Sequence, residues 1–347
     1  MIAYERKTLA NGLTVAVNRD RASKLAAVNL LYKVGARNEN PARTGFAHLF
    51  EHLMFRGTRD VPNFDLPVQM ASGDNNAFTN NDYTDFYITL PKDNIETALW
   101  LESDRMEGLD ITPGKLETEK RVVIEEFRQR YLNQPYGDQT MLLRALAYKV
   151  HPYRWAAIGL TTEHIASATQ ADVEAFYRSH YHPSNAILSI SADLEEERMM
   201  ELAEKWFGGL ADVPYTAEPI PQEPPQQAPR REEVERDVPA TTVTVAYHMG
   251  GRRSADFYTA DLVSDLLSGG DSSRLYRPLV KEQLLLSSVN AYITRDLDPG
   301  LFVFTGQLLP QIAPEQVEEA SRGEVRPLAQ VEATPYDIAK VQHQLQS

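Results

Sequence analysis

Six prolines, Pro214, Pro219, Pro221, Pro224, Pro225 and Pro229, fall within sixteen residues, mixed with Gln and Glu. Proline fixes φ and lacks the N–H that a helix interior or a central strand needs, so this run reads as an extended, semi-rigid connector. It divides the 347-residue chain into two pieces, each large enough for its own core. The predicted boundaries are a first domain over 1–210, a Pro-rich linker over 211–236 and a second domain over 237–347.

The two pieces carry the same kind of pattern. In the first, Leu13–Asn18 and Ala26–Val34 are rich in Val, Leu and Ala with partial alternation and read as strands. Gly35 to Arg43 is turn-like, and Thr44 is the expected N-cap of a helix running to Phe55, with Gly57 past its end. Strands follow at Asn76–Asn80 and Thr84–Leu90. A helical stretch from Asn94 to Arg130 is interrupted near Pro113, and further helices are expected at Tyr136–Val150, Gln170–Arg178 and Glu195–Phe207, with a strand at Ala186–Ala192. After the linker, Thr242–Met249 reads as a strand, Tyr258–Leu267 and Ser273–Gln283 as helices, and Val289–Ile293 and Leu301–Gly306 as strands. At an offset of 215 residues, Tyr32, Gly35, Arg37 and Thr44 fall on Tyr247, Gly250, Arg252 and Thr259, within the same strand–turn–helix order. The expected fold is therefore α+β: two homologous α/β-sandwich units, each a mostly antiparallel sheet flanked by helices. The second unit is shorter, and its last segment, Pro335–Leu345, reads as a helix without a return strand, so a C-terminally incomplete unit is expected.

Composition narrows the function. The formal charge is −14 and no Lys/Arg stripe is visible, which argues against nucleic acid as a partner. No apolar run approaches the roughly 20 residues needed to cross a bilayer. Met1 to Asp20 alternates apolar and polar residues and has no apolar h-region, so it reads as a first strand and not as a signal peptide. A cytoplasmic location is expected, or a periplasmic one if a leader was trimmed. There is no cysteine, so disulfides, thiol catalysis and Cys-ligated metals are excluded, and any metal must be held by His, Asp or Glu.

The segment Phe46-Ala-His-Leu-Phe-Glu-His-Leu-Met-Phe55 is the most informative. His48, Glu51 and His52 stand at i, i+3 and i+4, which puts all three on one face of a helix. Two imidazoles one turn apart can bind one Zn²⁺, and Glu51 beside them can take a proton from a water activated by the metal. The order His-x-x-Glu-His is the inverse of the thermolysin-type motif and names the inverzincins. Two histidines leave zinc short of a third protein ligand. Pro113–Arg130 offers Glu117, Glu119, Glu125 and Glu126. Glu119 and Glu126 are two turns apart and share a face, so one can ligate the metal while the other orients a ligand or water.

His48-Leu-Phe-Glu-His52, followed some seventy residues on by Glu119 and Glu126, resembles the pitrilysin/insulinase family of zinc metallopeptidases, most closely its short-chain bacterial and mitochondrial processing-peptidase branch. Thr44 to Thr58, Asn75-Asn-Ala-Phe-Thr79, Thr84-Asp-Phe-Tyr87, His151-Pro-Tyr153 and Gly269 to Leu275 match further segments, so the resemblance covers nearly the whole chain. It implies one Zn²⁺ per chain, held by His48, His52 and Glu126. Glu51 would be the general base, and Glu119 a carboxylate supporting the ligands. Asn76, Ala77 and Phe78 would lie against an extended peptide substrate added as a strand.

The sequence also departs from that pattern. Active two-unit members carry an Arg and a Tyr, seven residues apart, in the second unit. Val280 and Ser287 fall on those positions here, and Val263, Leu266 and Leu267 replace the metal motif at the repeat offset. The resemblance therefore implies a related partner subunit that supplies the Arg/Tyr pair, in a heterodimer, or else a homodimer. The competing expectation is a non-catalytic scaffold or core subunit, though such relatives typically lose the zinc residues. His180-Tyr-His182-Pro183 resembles a metal cluster but matches a framework segment of the family, and His164, His248 and His343 have no partners at ligand spacing.

Overall fold

The computed structural model describes residues 2–211, 213, 218–325 and 334–346. Of the Pro-rich stretch, Pro214 and positions 212 and 215–217 lie outside the described residues. The chain divides into two compact units, Met1–Pro229 and Arg230–Ser347.

The first unit contains strands β1 (Glu5–Thr8), β2 (Thr14–Arg19), β3 (Leu25–Tyr32), β4 (Asp74–Thr79), β5 (Thr84–Pro91) and β6 (Ala186–Ala192). Its helices are α1 (Phe46–Leu53), α2 (Asp65–Met70), α3 (Ile95–Glu107), α4 (Pro113–Phe127), α5 (Gln139–Ala147), α6 (Thr162–Ala166), α7 (Gln170–His180) and α8 (Glu196–Phe207). The strands form one sheet in the order β1-β2-β6-β3-β5-β4, antiparallel except for the β2–β6 pair. Period-2 alternation aims Val15 and Val17, Val28 and Leu30, Phe86 and Ile88, and Leu188 and Ile190 to one face, where each is buried. Helices α1, α3 and α8 pack against the sheet. Burying each such side chain contributes about 1.5–3 kcal/mol, which fixes the register, since a one-residue slip would turn the whole apolar set outward.

A charged pair sits deep in this core. Arg105 is fully buried, bonds Glu102 through Nε (2.7 Å) and Nη2 (2.5 Å), and lies over the rings of Phe86 (4.2 Å) and Phe64 (4.5 Å). Elsewhere, Glu223 of the Pro-rich stretch accepts the N–H groups of Lys149 (2.9 Å), Val150 (2.8 Å) and His151 (2.9 Å), so this part of the connector is moored to the first unit.

The second unit runs β7 (Thr242–His248), α9 (Phe257–Ser268), β8 (Leu286–Ile293), β9 (Leu301–Leu308), α10 (Pro314–Val325) and α11 (Pro335–Gln346). Its sheet has the order β7-β9-β8, all antiparallel. This repeats the β3–α1–β4–β5 part of the first unit, where the first strand likewise pairs with the third and the third with the second. Topology thus supports the duplication that the four-residue match suggested, and the α+β class is observed.

Three expected elements change. Ser273–Gln283 is not an α-helix: among these residues a π-helical segment covers Arg277–Glu282, with Pro278 in its first turn. The helix expected at Tyr136–Val150 is confined to Gln139–Ala147, because Tyr136 has φ +63° and Tyr148 is already extended. Met1 to Asp20 is not one strand, because a tight turn with Gly12 at φ +85° separates β1 from β2. Helices α2, α6 and α10 have no counterpart among the elements expected from the sequence. In α10 only Val317 and Ser321 are buried, so no apolar period marks it. Among the described residues no helix is long and apolar enough to cross a membrane.

Candidate metal centre

Helix α1 buries Phe46, Leu49, Phe50 and Leu53 and carries His48, Glu51 and His52 along its length. Its N-cap is Gly45, in the left-handed region at φ +89°, and not the expected Thr44. Thr44 is engaged elsewhere. Its hydroxyl accepts the N–H of Leu160 (2.7 Å), and its own N–H donates to His164 Nδ1 (3.1 Å). The cap is supplied from a distance by Glu39, whose Oε2 accepts Gly45 N–H and whose Oε1 accepts Ala47 N–H, both at 2.9 Å. The indole of Trp155 also donates to Glu39 Oε2, at 3.2 Å. Burial pushes the Glu39 carboxyl up to about 8 against the pull of these bonds. Each of these bonds comes from an N–H and so favours the ionised form, which burial opposes.

Helix α4 starts with Thr112 capping Lys115 N–H and with Pro113 in its first turn. Leu116, Val123 and Phe127 anchor it in the core, and Glu119 and Glu126 share the side toward α1. Just after Glu126 and Phe127 the helix widens into a π-turn, Arg128–Leu132, a feature frequent at functional sites.

These two helices bring four of the sequence-derived residues together. His52 Nε2 lies 3.3 Å from Glu126 Oε2, and His48 Nε2 lies 3.7 Å from the same oxygen. One donor atom from each of His48, His52 and Glu126 falls within 4.8 Å of the others. A tetrahedral zinc with bonds of about 2.1 Å separates its donors by about 3.4 Å, so the spacing fits. His48 is 7% exposed, and its Nδ1 is a buried atom without a hydrogen bond. Two imidazoles and a carboxylate are the N/O donor set that suits Zn²⁺ in a chain without cysteine.

The surrounding charges are arranged to support that set. Glu119, 0% exposed, places Oε2 3.5 Å from His52 Nδ1, and Arg56 Nε stands 2.6 Å from its Oε1. Arg130 holds the second oxygen of Glu126 at 2.9 Å. Burial lowers His48 to about 4. For His52, burial also lowers the pKa, but hydrogen bonds to Glu119 and Glu126 outweigh it and raise the ring to about 9. Burial pushes Glu119 up, yet the His52 and Arg56 bonds bring it below the usual carboxylate range. Glu51 is half-buried, and burial raises its pKa against a hydrogen bond with Thr79, the last residue of β4.

Strand β4 is the sheet's edge, and one of its sides is unpaired in the sheet. Along it Asn76 and Phe78 are exposed and Ala77 is half-buried, and α1 packs beside it. The other histidines stand apart. Both ring nitrogens of His182 are used nearby, Nδ1 with Ser184 Oγ and Nε2 with Ser179 O. His164 faces Thr44. In the second unit, Val280 is buried in the core and Ser287 Oγ bonds Gln307 O (3.2 Å) beside a bulge in β8. Helix α9, which stands where α1 stands in the repeat, carries Val263, Leu266 and Leu267 and no metal-binding group at those positions.

Glu39, Arg56, Arg130 and Thr79 belong to this centre and escaped sequence reasoning. Arg130 stands at i+4 from Glu126, a spacing that could have suggested it. The others meet their partners across gaps that no local pattern encodes.

Comparison with known proteins agrees with the geometry. Residues 14–156 match the family model "Insulinase (Peptidase family M16)", and residues 167–345 match "Peptidase M16 inactive domain". The zinc protease PqqE of Helicobacter pylori is 31% identical over 97% of this chain and 77% of its own length. A probable mitochondrial-processing peptidase subunit beta of Schizosaccharomyces pombe is 28% identical over 86% of this chain and 68% of its own. The crystal structure of a protease from Helicobacter pylori superposes with a TM-score of 0.93 at 30% identity, covering all of this chain and 84% of that one. Pitrilysin, at 19% identity and a TM-score of 0.75, shares the fold over 97% of this chain and 37% of its own. By matched domains, by identity and by structure, this chain belongs to peptidase family M16, the insulinase family.

Proposed function

We propose that the chain is the zinc-binding, catalytic subunit of an endopeptidase acting on extended, unfolded peptides. The observation that carries this reading is the convergence of His48, His52 and Glu126 within 4.8 Å, the two histidines on a helix that also carries Glu51 and packs beside the edge strand β4. His48, His52 and Glu126 would hold one Zn²⁺. Bound there, zinc supplies Lewis acidity to the scissile carbonyl and to the attacking water.

The chain's own groups do the rest. Glu51 takes the proton of the attacking water on its carboxylate and passes it to the leaving amide nitrogen. Its upward-shifted pKa suits it to hold that proton between the two steps. Glu119 keeps the His52 ring in one orientation through Nδ1. Asn76, Ala77 and Phe78 would receive the peptide as an added strand beside β4, so main-chain hydrogen bonds would select for extension more than for sequence. Because Val280 and Ser287 stand where the resemblance places an Arg/Tyr pair, we assign oxyanion stabilisation to a related partner subunit. That one relative is named as a subunit is consistent with this division.

Metal analysis with peptide hydrolysis tests the reading. Glu51→Gln should keep wild-type zinc stoichiometry and lose activity by about 10²–10⁴-fold. Equal rates would exclude Glu51 as the base. The purified single chain should bind zinc and cleave feebly, and full activity alone would remove the partner from the scheme.

A further inference from the structure

We propose that Glu39 is a positioning residue for the metal centre: its carboxylate, reaching α1 from six residues before the cap, sets where His48 stands. The proposal rests on the zinc reading above and adds a residue to it.

Gly45 sits at φ +89°, where glycine is favoured, and a Cβ there would come within 2.6 Å of Ile158 O, so no capping side chain can stand at that position. The first N–H groups of a helix still need acceptors. Glu39 provides two, one oxygen to Gly45 and one to Ala47, and Ala47 directly precedes His48. When ionised, the carboxylate is also a negative charge at a helix N-terminus, where the dipole favours it.

Glu39 is itself held from two further directions. Trp155, buried to 1% exposure, donates its indole N–H to Glu39 and to Ala36 O (3.0 Å). The turn that carries Glu39 is tied to the end of β4, because Ala36 N–H donates to Asn80 O (3.1 Å) and Arg37 N–H to Asn81 O (2.9 Å). One buried carboxylate thus links the start of the metal-binding helix, the segment around Trp155 and the turn that ends the edge strand. Metal affinity depends steeply on ligand placement, so a displaced first turn should be felt at His48 before it is felt in the core.

The test is Glu39→Gln. The amide is nearly isosteric but turns an NH₂ against either Ala47 N–H or the Gly45 and Trp155 donors. Zinc dissociation constants of wild type and variant are measured by competition with a fluorescent chelator, beside the melting temperature of each zinc-free chain. Asp85→Asn is the control, since it also converts a buried carboxylate, one bonded to Asn29 (2.7 Å). Glu39→Gln should weaken zinc binding tenfold or more and lower kcat with KM unchanged, whereas Asp85→Asn should leave the zinc affinity within about twofold. Trp155→Phe, which removes one donor and leaves both helix bonds, should weaken zinc binding by less than Glu39→Gln. Equal effects in Glu39→Gln and Asp85→Asn, or none in either, would overturn the assignment. A wild-type chain that takes up no zinc would instead overturn the metal reading itself.

Discussion

Arg56 Nε lies 2.6 Å from Oε1 of Glu119, whose other oxygen faces His52 Nδ1. Glu119 is fully buried, and without a cation its charge would be an uncompensated cost. Arg56 keeps that carboxylate ionised and still, and through it the ring of His52. Arg56→Met preserves the aliphatic stem and removes the guanidinium. We predict a loss of zinc affinity of about 10-fold or more, the lower end of what ligand-supporting groups contribute. Chelator competition measures it, and an unchanged affinity would show that Glu119 is held without Arg56.

Gly45→Ala addresses the same helix from the backbone. Alanine at φ +89° is strained, and its Cβ would press on Ile158 O. The strain alone is worth about 1–3 kcal/mol. Urea unfolding of the zinc-free chain should show at least that loss. A variant as stable as wild type would mean that the turn can relax freely, contrary to its bonds from Thr44 to Leu160 and His164.

How much of this was legible in the sequence depends on the distance between partners. His48, Glu51 and His52 could be read because helical periodicity makes them neighbours within five residues, and Glu119 and Glu126 because two turns put them on one side. Strands β3, β5 and β6 announced themselves through buried alternation. Glu39 lay in a stretch read only as a turn. What makes it a cap is the left-handed Gly45 and the indole of Trp155, 116 residues away in sequence. Thr44 looked like a cap because Thr caps helices on average, but its hydroxyl found Leu160 instead. Apolar spacing does not distinguish an α-helix from a wider local turn, so the sequence pattern cannot separate the π-segment at Arg277–Glu282 from an α-helix.

The core pair Glu102–Arg105 was invisible for the same reason. An Arg on a helix is usually at the surface, and only the rings of Phe55, Phe64 and Phe86 make a place for it inside. Glu102→Gln leaves a buried guanidinium without its counter-charge. Breaking one side of a buried pair costs about 3–5 kcal/mol. We predict a loss of that order in chemical unfolding, with zinc affinity nearly unchanged in the fraction that stays folded. A loss below about 1 kcal/mol would mean that water reaches Arg105, against its burial.

His180 should make the first unit sensitive to acid. Its ring packs on Phe176, with centroids 4.6 Å apart, and burial, helped by nearby His182, lowers its pKa to about 4. In the unfolded chain a histidine titrates near 6.5. Between those values the unfolded state holds a proton that the folded state refuses, so stability rises with pH across that window. The contribution is complete above about pH 6.5 and is lost as the pH falls toward 4. In zinc-free protein His48 adds a slope of the same sign, since its pKa is also lowered to about 4. The difference between wild type and His180→Phe isolates the His180 part. Lowering the pH from 7 to 5 should destabilise wild type by about 1–2 kcal/mol more than His180→Phe, read from urea midpoints at constant ionic strength. Parallel pH profiles for the two chains would show that His180 accepts its proton without leaving the fold.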